Sequence, residues 1–89
     1  MELKWTKHGV VRGYTRAGRY GMDVIEKKII DNVNKAIACR NGHAAIPFKL
    51  GRKHFEAVLA PLDDSGTKAL VITTYLKKDR KKMRKKYLY

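Results

Sequence analysis

Acidic residues are scarce in this chain. Eight Asp and Glu stand against 21 Lys and Arg in 89 residues, giving a formal net charge of +13. A two-metal nuclease needs several convergent carboxylates, and so few acids argue against one. Cysteine is nearly absent. The single Cys39 excludes an internal disulfide framework and is consistent with a reducing compartment. With three histidines (His8, His43, His54), one cysteine and no clustered acids, no metal-ligand spacing is present, so neither a metal site nor a cofactor is expected. No apolar run approaches the length of a membrane span or a signal-peptide core. The basic segments carry too few apolar residues to anchor on a lipid surface. Zinc-finger spacing and an aromatic RNA-reading strand pattern are both missing. The expectation is a cytoplasmic protein without membrane contact.

Cationic charge is plentiful, and it is densest at the end. Lys77–Tyr89 (KKDRKKMRKKYLY) holds eight Lys or Arg and one acid. Desolvating such a block costs more than packing returns, so it faces water or a polyanion. A phosphate backbone is the natural partner, because each neutralised phosphate releases a counterion. The stretches before it carry enough Ile, Val, Leu and Phe for a small core. Residues 1–76 therefore read as one domain and residues 77–89 as a basic tail. Lys, Arg and Met without Gly or Pro allow that tail to continue as a helix.

Within residues 1–76 the first twenty read as irregular or weakly helical. Thr6 can cap a short helix carrying His8, Arg12, Arg16 and Arg19, whose spacing places all four on one face. Gly9, Gly13 and Gly18 oppose that helix by roughly 1 kcal/mol each relative to Ala. Packing by Trp5, Val10, Val11 and Tyr14 is then needed to hold it. Asp23–Cys39 is the clearest helix, with Asp23 as N-cap and Glu26 completing a capping box. Ile25, Ile29, Val33 and Ile37 recur along one face, and Arg40-Asn41-Gly42 supplies the stop. From Ala44 the period becomes two. Ile46, Phe48 and Leu50 alternate in one strand, and Phe55, Ala57 and Leu59 in a second. Asp63-Asp64-Ser65-Gly66 is a turn, and Ala69–Leu76 is a third strand, apolar on both faces. The fold class is α+β: one or two N-terminal helices on a small antiparallel sheet of three to four strands.

Phosphodiester chemistry without a metal is confined in practice to RNA, where the 2′-OH is an internal nucleophile. It needs a base, an acid, and cations or hydroxyls for the developing charge. His8 with Arg12 is one such grouping. Thr73 and Thr74, near the end of the last strand, supply hydroxyls on opposite faces. Strict alternation places Thr74 with Leu70, Ile72 and Leu76, while the face taken by His54 is left open.

Lys7-His8 followed by Arg12, the helix MDVIEKKIIDNVNKAI, a strand pair and a last strand ending Thr73-Thr74-Tyr75 together resemble the barnase–EndoU–colicin–RelE-like superfamily of small ribonucleases. The likeness is to its phage-borne and toxin-type members. It implies a metal-independent endoribonuclease with His8 as general acid or base, Arg12 binding phosphate, and Thr73 or Thr74 as the strand hydroxyl. Arg16, Arg19, Arg52, Lys77, Lys78, Arg80, Lys81, Lys82, Arg84, Lys85 and Lys86 are expected to hold nucleic acid, RNA rather than DNA. Two other readings compete: a non-catalytic nucleic-acid-binding protein, and a small basic inhibitor of a host protein. A protein antitoxin is a further partner that the resemblance implies. Monomer and homodimer are both compatible with the sequence.

Overall fold

The computed structural model describes residues 1–83. In chain order its elements are strand β1 (Glu2–Trp5), helix α1 (Lys7–Ala17), a 3-10 turn (Gly18–Tyr20) and helix α2 (Met22–Asp31). A second 3-10 turn (Val33–Lys35), strand β2 (Ile37–Ala38) and a third turn (Arg40–Gly42) follow. Strands β3 (Ala44–Leu50), β4 (Lys53–Pro61) and β5 (Lys68–Leu76) then lead through a turn at Lys77–Asp79 into the short helix α3 (Arg80–Met83). The class is α+β, as expected. The sheet differs from expectation: it has five strands, in the order β1-β5-β4-β3-β2, and is mixed.

The extra strands lie at the two edges. β1 pairs in parallel with β5, Glu2 opposite Lys68 and Trp5 opposite Val71. Leu3 and Trp5 turn to the core while Glu2 and Lys4 stay exposed. Four residues of alternation are too short to stand out in a sequence. β2 pairs only with Ala44 and Ala45, so Pro47 sits where β3 has become an edge, the place in a sheet that tolerates proline.

The second helix is shorter than its apolar spacing suggests. It ends at Asp31, and Asn32 is the cause. Its side chain donates to Lys28 O at 2.7 Å and its backbone N–H turns back to Ile29 O, which replaces the next helical turn. Ile37 is therefore in a strand and exposed, not on the helix. The expected capping box is absent as well. Gly21 precedes the helix with φ 87°, Asp23 lies in the first turn, and Glu26 accepts a 2.5 Å bond from Trp5 Nε1.

α1 forms despite its glycines because they are its contact face. A Cβ at Gly9 would lie 2.3 Å from Val71 O, and one at Gly13 would lie 3.2 Å from the Trp5 ring. The helix thus rests almost backbone to backbone on β5. Thr6 caps it, accepting from Gly9 N–H at 2.8 Å. Val10, Val11 and Tyr14, expected to pack, are 43, 52 and 70% exposed. They occupy the outer side because the small residues take the inner one.

One face of the sheet carries the apolar core. Ile46, Phe48, Leu50, Phe55, Ala57, Leu59, Ala69 and Val71 meet Ile25 and Ile29 of α2 there. Among the described residues no helix is long and apolar enough to cross a membrane.

Candidate nucleic-acid interface

Sheet register brings the cations together. β3 and β4 join at Gly51-Arg52, with Lys49 opposite His54 and Leu50 opposite Lys53. Gly51 takes φ 59°, the left-handed region where a side chain is strained, and a Cβ there would lie 2.8 Å from the Tyr20 hydroxyl. The turn after α1 therefore adjoins the hairpin tip. Arg19 lies 4.9 Å over the Tyr20 ring. β5 ends at the same pole, because Leu76 is opposite Phe55. Arg16, Arg19, Lys49, Arg52, Lys53, His54, Lys77 and Lys78 all reach this end of the sheet. Asp63 and Asp64 are at the opposite end, in the β4–β5 turn, and Glu2 starts β1 there.

At the cationic end an open groove of about 420 Å³ is lined by Lys53, His54, Leu76, Lys77 and Lys78. Leu76 is half-buried and the other four are exposed. The lining joins residues more than twenty positions apart. They meet because β4 begins where β5 ends.

The residues after β5 do not simply extend away. Arg80 Nε lies 3.6 Å from Glu56 Oε1, whose side chain is 1% exposed. Glu56 faces away from the helices, on the side of β4 shared by Val58. Thr73 and Tyr75 of β5 lie opposite Val58 and Glu56 and are buried with them. Cys39 and Ala45 are also buried outside the apolar cluster. Burial, then the Glu56 carboxylate, push the Tyr75 phenol above its ordinary range. Burial likewise raises the Cys39 thiol, against a backbone hydrogen bond from Ala45 that lowers it. Arg80 ties the start of the basic segment to this face.

The four residues expected to do chemistry are not gathered at one surface. His8 and Arg12 are exposed on one flank of α1. Arg16 continues that flank and donates from Nη1 to Thr74 O at 2.6 Å. This contact has a structural task. β1 pairs with β5 only as far as Val71, and α1 takes over that edge. Thr6 bonds Val71 O and Ile72 O, and Arg16 bonds Thr74 O. The edge carbonyls are thereby covered. The Thr74 hydroxyl is buried beneath α1 without a hydrogen-bond partner among the described residues, and Thr73 is buried on the other face. Alternation along β5 is also broken. Val58 is opposite Thr73 but Leu59 is opposite Val71, so Ile72 is an extra, bulged residue. Thr74 consequently shares its face with Ala69 and Val71, not with Leu70 and Ile72.

Of the other expected binding residues, Arg52, Lys81 and Lys82 are exposed. Arg84, Lys85 and Lys86 lie outside the described residues. Lys53 and His54 do not stand out as binding residues in the sequence. Neither does Glu56, although a lone acid inside the apolar run FEAVLA is a usable signal, since a buried charge needs a partner. Among the described residues no three His, Cys, Asp or Glu side chains stand together as a metal-holding group.

No protein-family model, curated protein or solved structure matches this chain.

Proposed function

We propose that the protein binds nucleic acid, RNA in preference to DNA, at the cationic end of its sheet. The observation that supports this is the groove where Lys53 and His54 meet Lys77 and Lys78 around Leu76. Arg16, Arg19, Lys49 and Arg52 extend the positive surface beyond it. Among the described residues, the acids near it are Glu56, which is paired and buried, and the half-buried Asp79. Phosphates gain here from several cations at once, and counterion release makes the binding steeply salt-dependent. Contacts of this kind position a strand without reading its sequence.

The test is fluorescence anisotropy of labelled RNA and matched DNA across a salt series. Exchanging Lys53 and Lys78 for alanine should lower the log–log salt slope by about one unit for each phosphate that is no longer neutralised. A slope unchanged by both substitutions would place the binding surface elsewhere.

Metal-independent RNA cleavage is the second reading. What supports it is the pairing of His8 and Arg12, both exposed on the flank of α1 that Arg16 continues. Burial of Thr73 and Thr74 removes the strand hydroxyl from that scheme, leaving an acid–base histidine and cations. RNA incubated in EDTA with the wild type and His8→Ala separates the two readings: product lost in the variant supports cleavage, and intact RNA with retained binding supports a binding module.

A further inference from the structure

We infer that the groove seats one unpaired nucleotide of a single strand, its base against Leu76 and His54 and its phosphates on Lys53, Lys77 and Lys78. This rests on the nucleic-acid reading above and narrows its ligand to strands with exposed bases.

Phosphate binding alone does not require a groove. A flat or convex patch of lysines neutralises a backbone equally well, as at most surfaces that hold duplexes without reading them. Here the cations surround a concavity instead. Its volume of about 420 Å³ falls in the range of clefts that enclose small organic ligands. Much of its wall is carbon. Leu76 contributes a half-buried isobutyl group, and each lysine presents a methylene stem below its charged head. A ligand suited to this wall has an apolar plate joined to anionic groups. A nucleotide has that form.

Two further features support the fit. His54 lines the groove from the opposite side of the sheet end to Leu76, and its exposed imidazole is among the rings on which unpaired bases stack. The floor is also held from the side. Leu76 pairs with Phe55, which is buried and stacked on Phe48 with ring centroids 5.6 Å apart. The apolar contact is therefore pre-formed. In a duplex the bases are stacked inside and present only edges and phosphates, so the carbon wall would go unused.

The experiment compares three labelled ligands of equal phosphate count with the full chain: a single-stranded oligouridine, an abasic phosphodiester strand and a duplex. The base-bearing strand should bind about tenfold more tightly than the abasic one, the contribution of one stacked base. In His54→Ala that ratio should fall several-fold while the salt slope stays the same. Since His54 is exposed, an unchanged thermal transition would show that the fold is intact. Equal affinity for base-bearing and abasic strands, with a steep salt slope for both, would overturn this inference and leave the nucleic-acid reading standing. So would a duplex that binds as tightly as the single strand, or a ratio that His54→Ala leaves unmoved. Binding of none of the three would overturn both.

Discussion

On one face of the sheet, Ile25 and Ile29 of α2 and the glycine side of α1 cover a layer of side chains that is apolar except for Thr74. On the other, Glu56, Thr73, Tyr75 and Cys39 are equally buried, yet a carboxylate and a phenol there lack a hydrogen-bond partner among the described residues. The first face stabilises by removing apolar surface from water, which needs no directional match. The second carries groups that are costly to bury, and its ion pair joins a buried carboxylate to a guanidinium that is 36% exposed. The contrast suggests a division of labour. The helix face secures the fold, while the opposite face holds the basic segment after β5 in a fixed direction, so that its lysines wall the groove.

The largest expected effect breaks the helix face. Gly9→Ala puts a methyl within 2.3 Å of Val71 O, a backbone atom that cannot yield without moving β5. Helix propensity gains about 1 kcal/mol, but overpacking should outweigh it and leave a net loss of about 3 kcal/mol. Urea unfolding measures this. A variant as stable as the wild type would mean that α1 is not seated on β5 by its glycines.

The opposite face should respond asymmetrically. Arg80→Met strands a buried carboxylate, whereas Glu56→Gln strands a cation that water already reaches. A fully buried pair broken in this way loses about 3–5 kcal/mol. Solvent exposure of Arg80 reduces that to about 2 kcal/mol for Arg80→Met and about 1 kcal/mol or less for Glu56→Gln. The second variant also tests function. It adds net positive charge, so simple electrostatics predicts tighter RNA binding. If the ion pair directs Lys77 and Lys78, affinity should instead fall about tenfold, equivalent to one or two phosphate contacts. Tighter binding by Glu56→Gln would separate the ion pair from the groove.

These two faces are unequally legible in the sequence. Two strands can be read from alternation, a third from its apolar β-branched run, and the position of α2 from Ile25 and Ile29, because local period and burial agree there. The end of α2 cannot, because Asn32 closes it through side-chain bonds that compete with an otherwise continuous apolar stripe. β1 is hidden because a four-residue parallel strand depends on a partner more than sixty residues away. The bulge at Ile72 reverses the outward pattern of β5, and no composition signal marks it. The cationic character of the site is evident from charge alone. Its groove is not, since it arises from where β4 starts relative to where β5 stops. The glycines of α1 read as helix breakers until their close approach to β5 is known.

Tyr75 offers a finer test of the same contrast, because the apolar cluster on the helix face contains no fully buried ionisable group. The Tyr75 phenol is raised by burial and by Glu56. Its unfolded counterpart ionises near pH 10. Above that pH the unfolded chain releases a proton that the folded chain retains, so folding stability is intact below about pH 10 and declines as pH rises further. The decline can reach about 1.4 kcal/mol per pH unit from this group. Absorbance titration should show one tyrosine that ionises only as the chain unfolds. Tyr75→Phe should abolish that part of the alkaline slope. Because the hydroxyl has no hydrogen-bond partner among the described residues, its removal at neutral pH should cost under about 0.5 kcal/mol or raise stability. A loss of about 2 kcal/mol in Tyr75→Phe would show instead that the phenol is bonded in solution, and that this face is held by a closed polar network rather than by one ion pair.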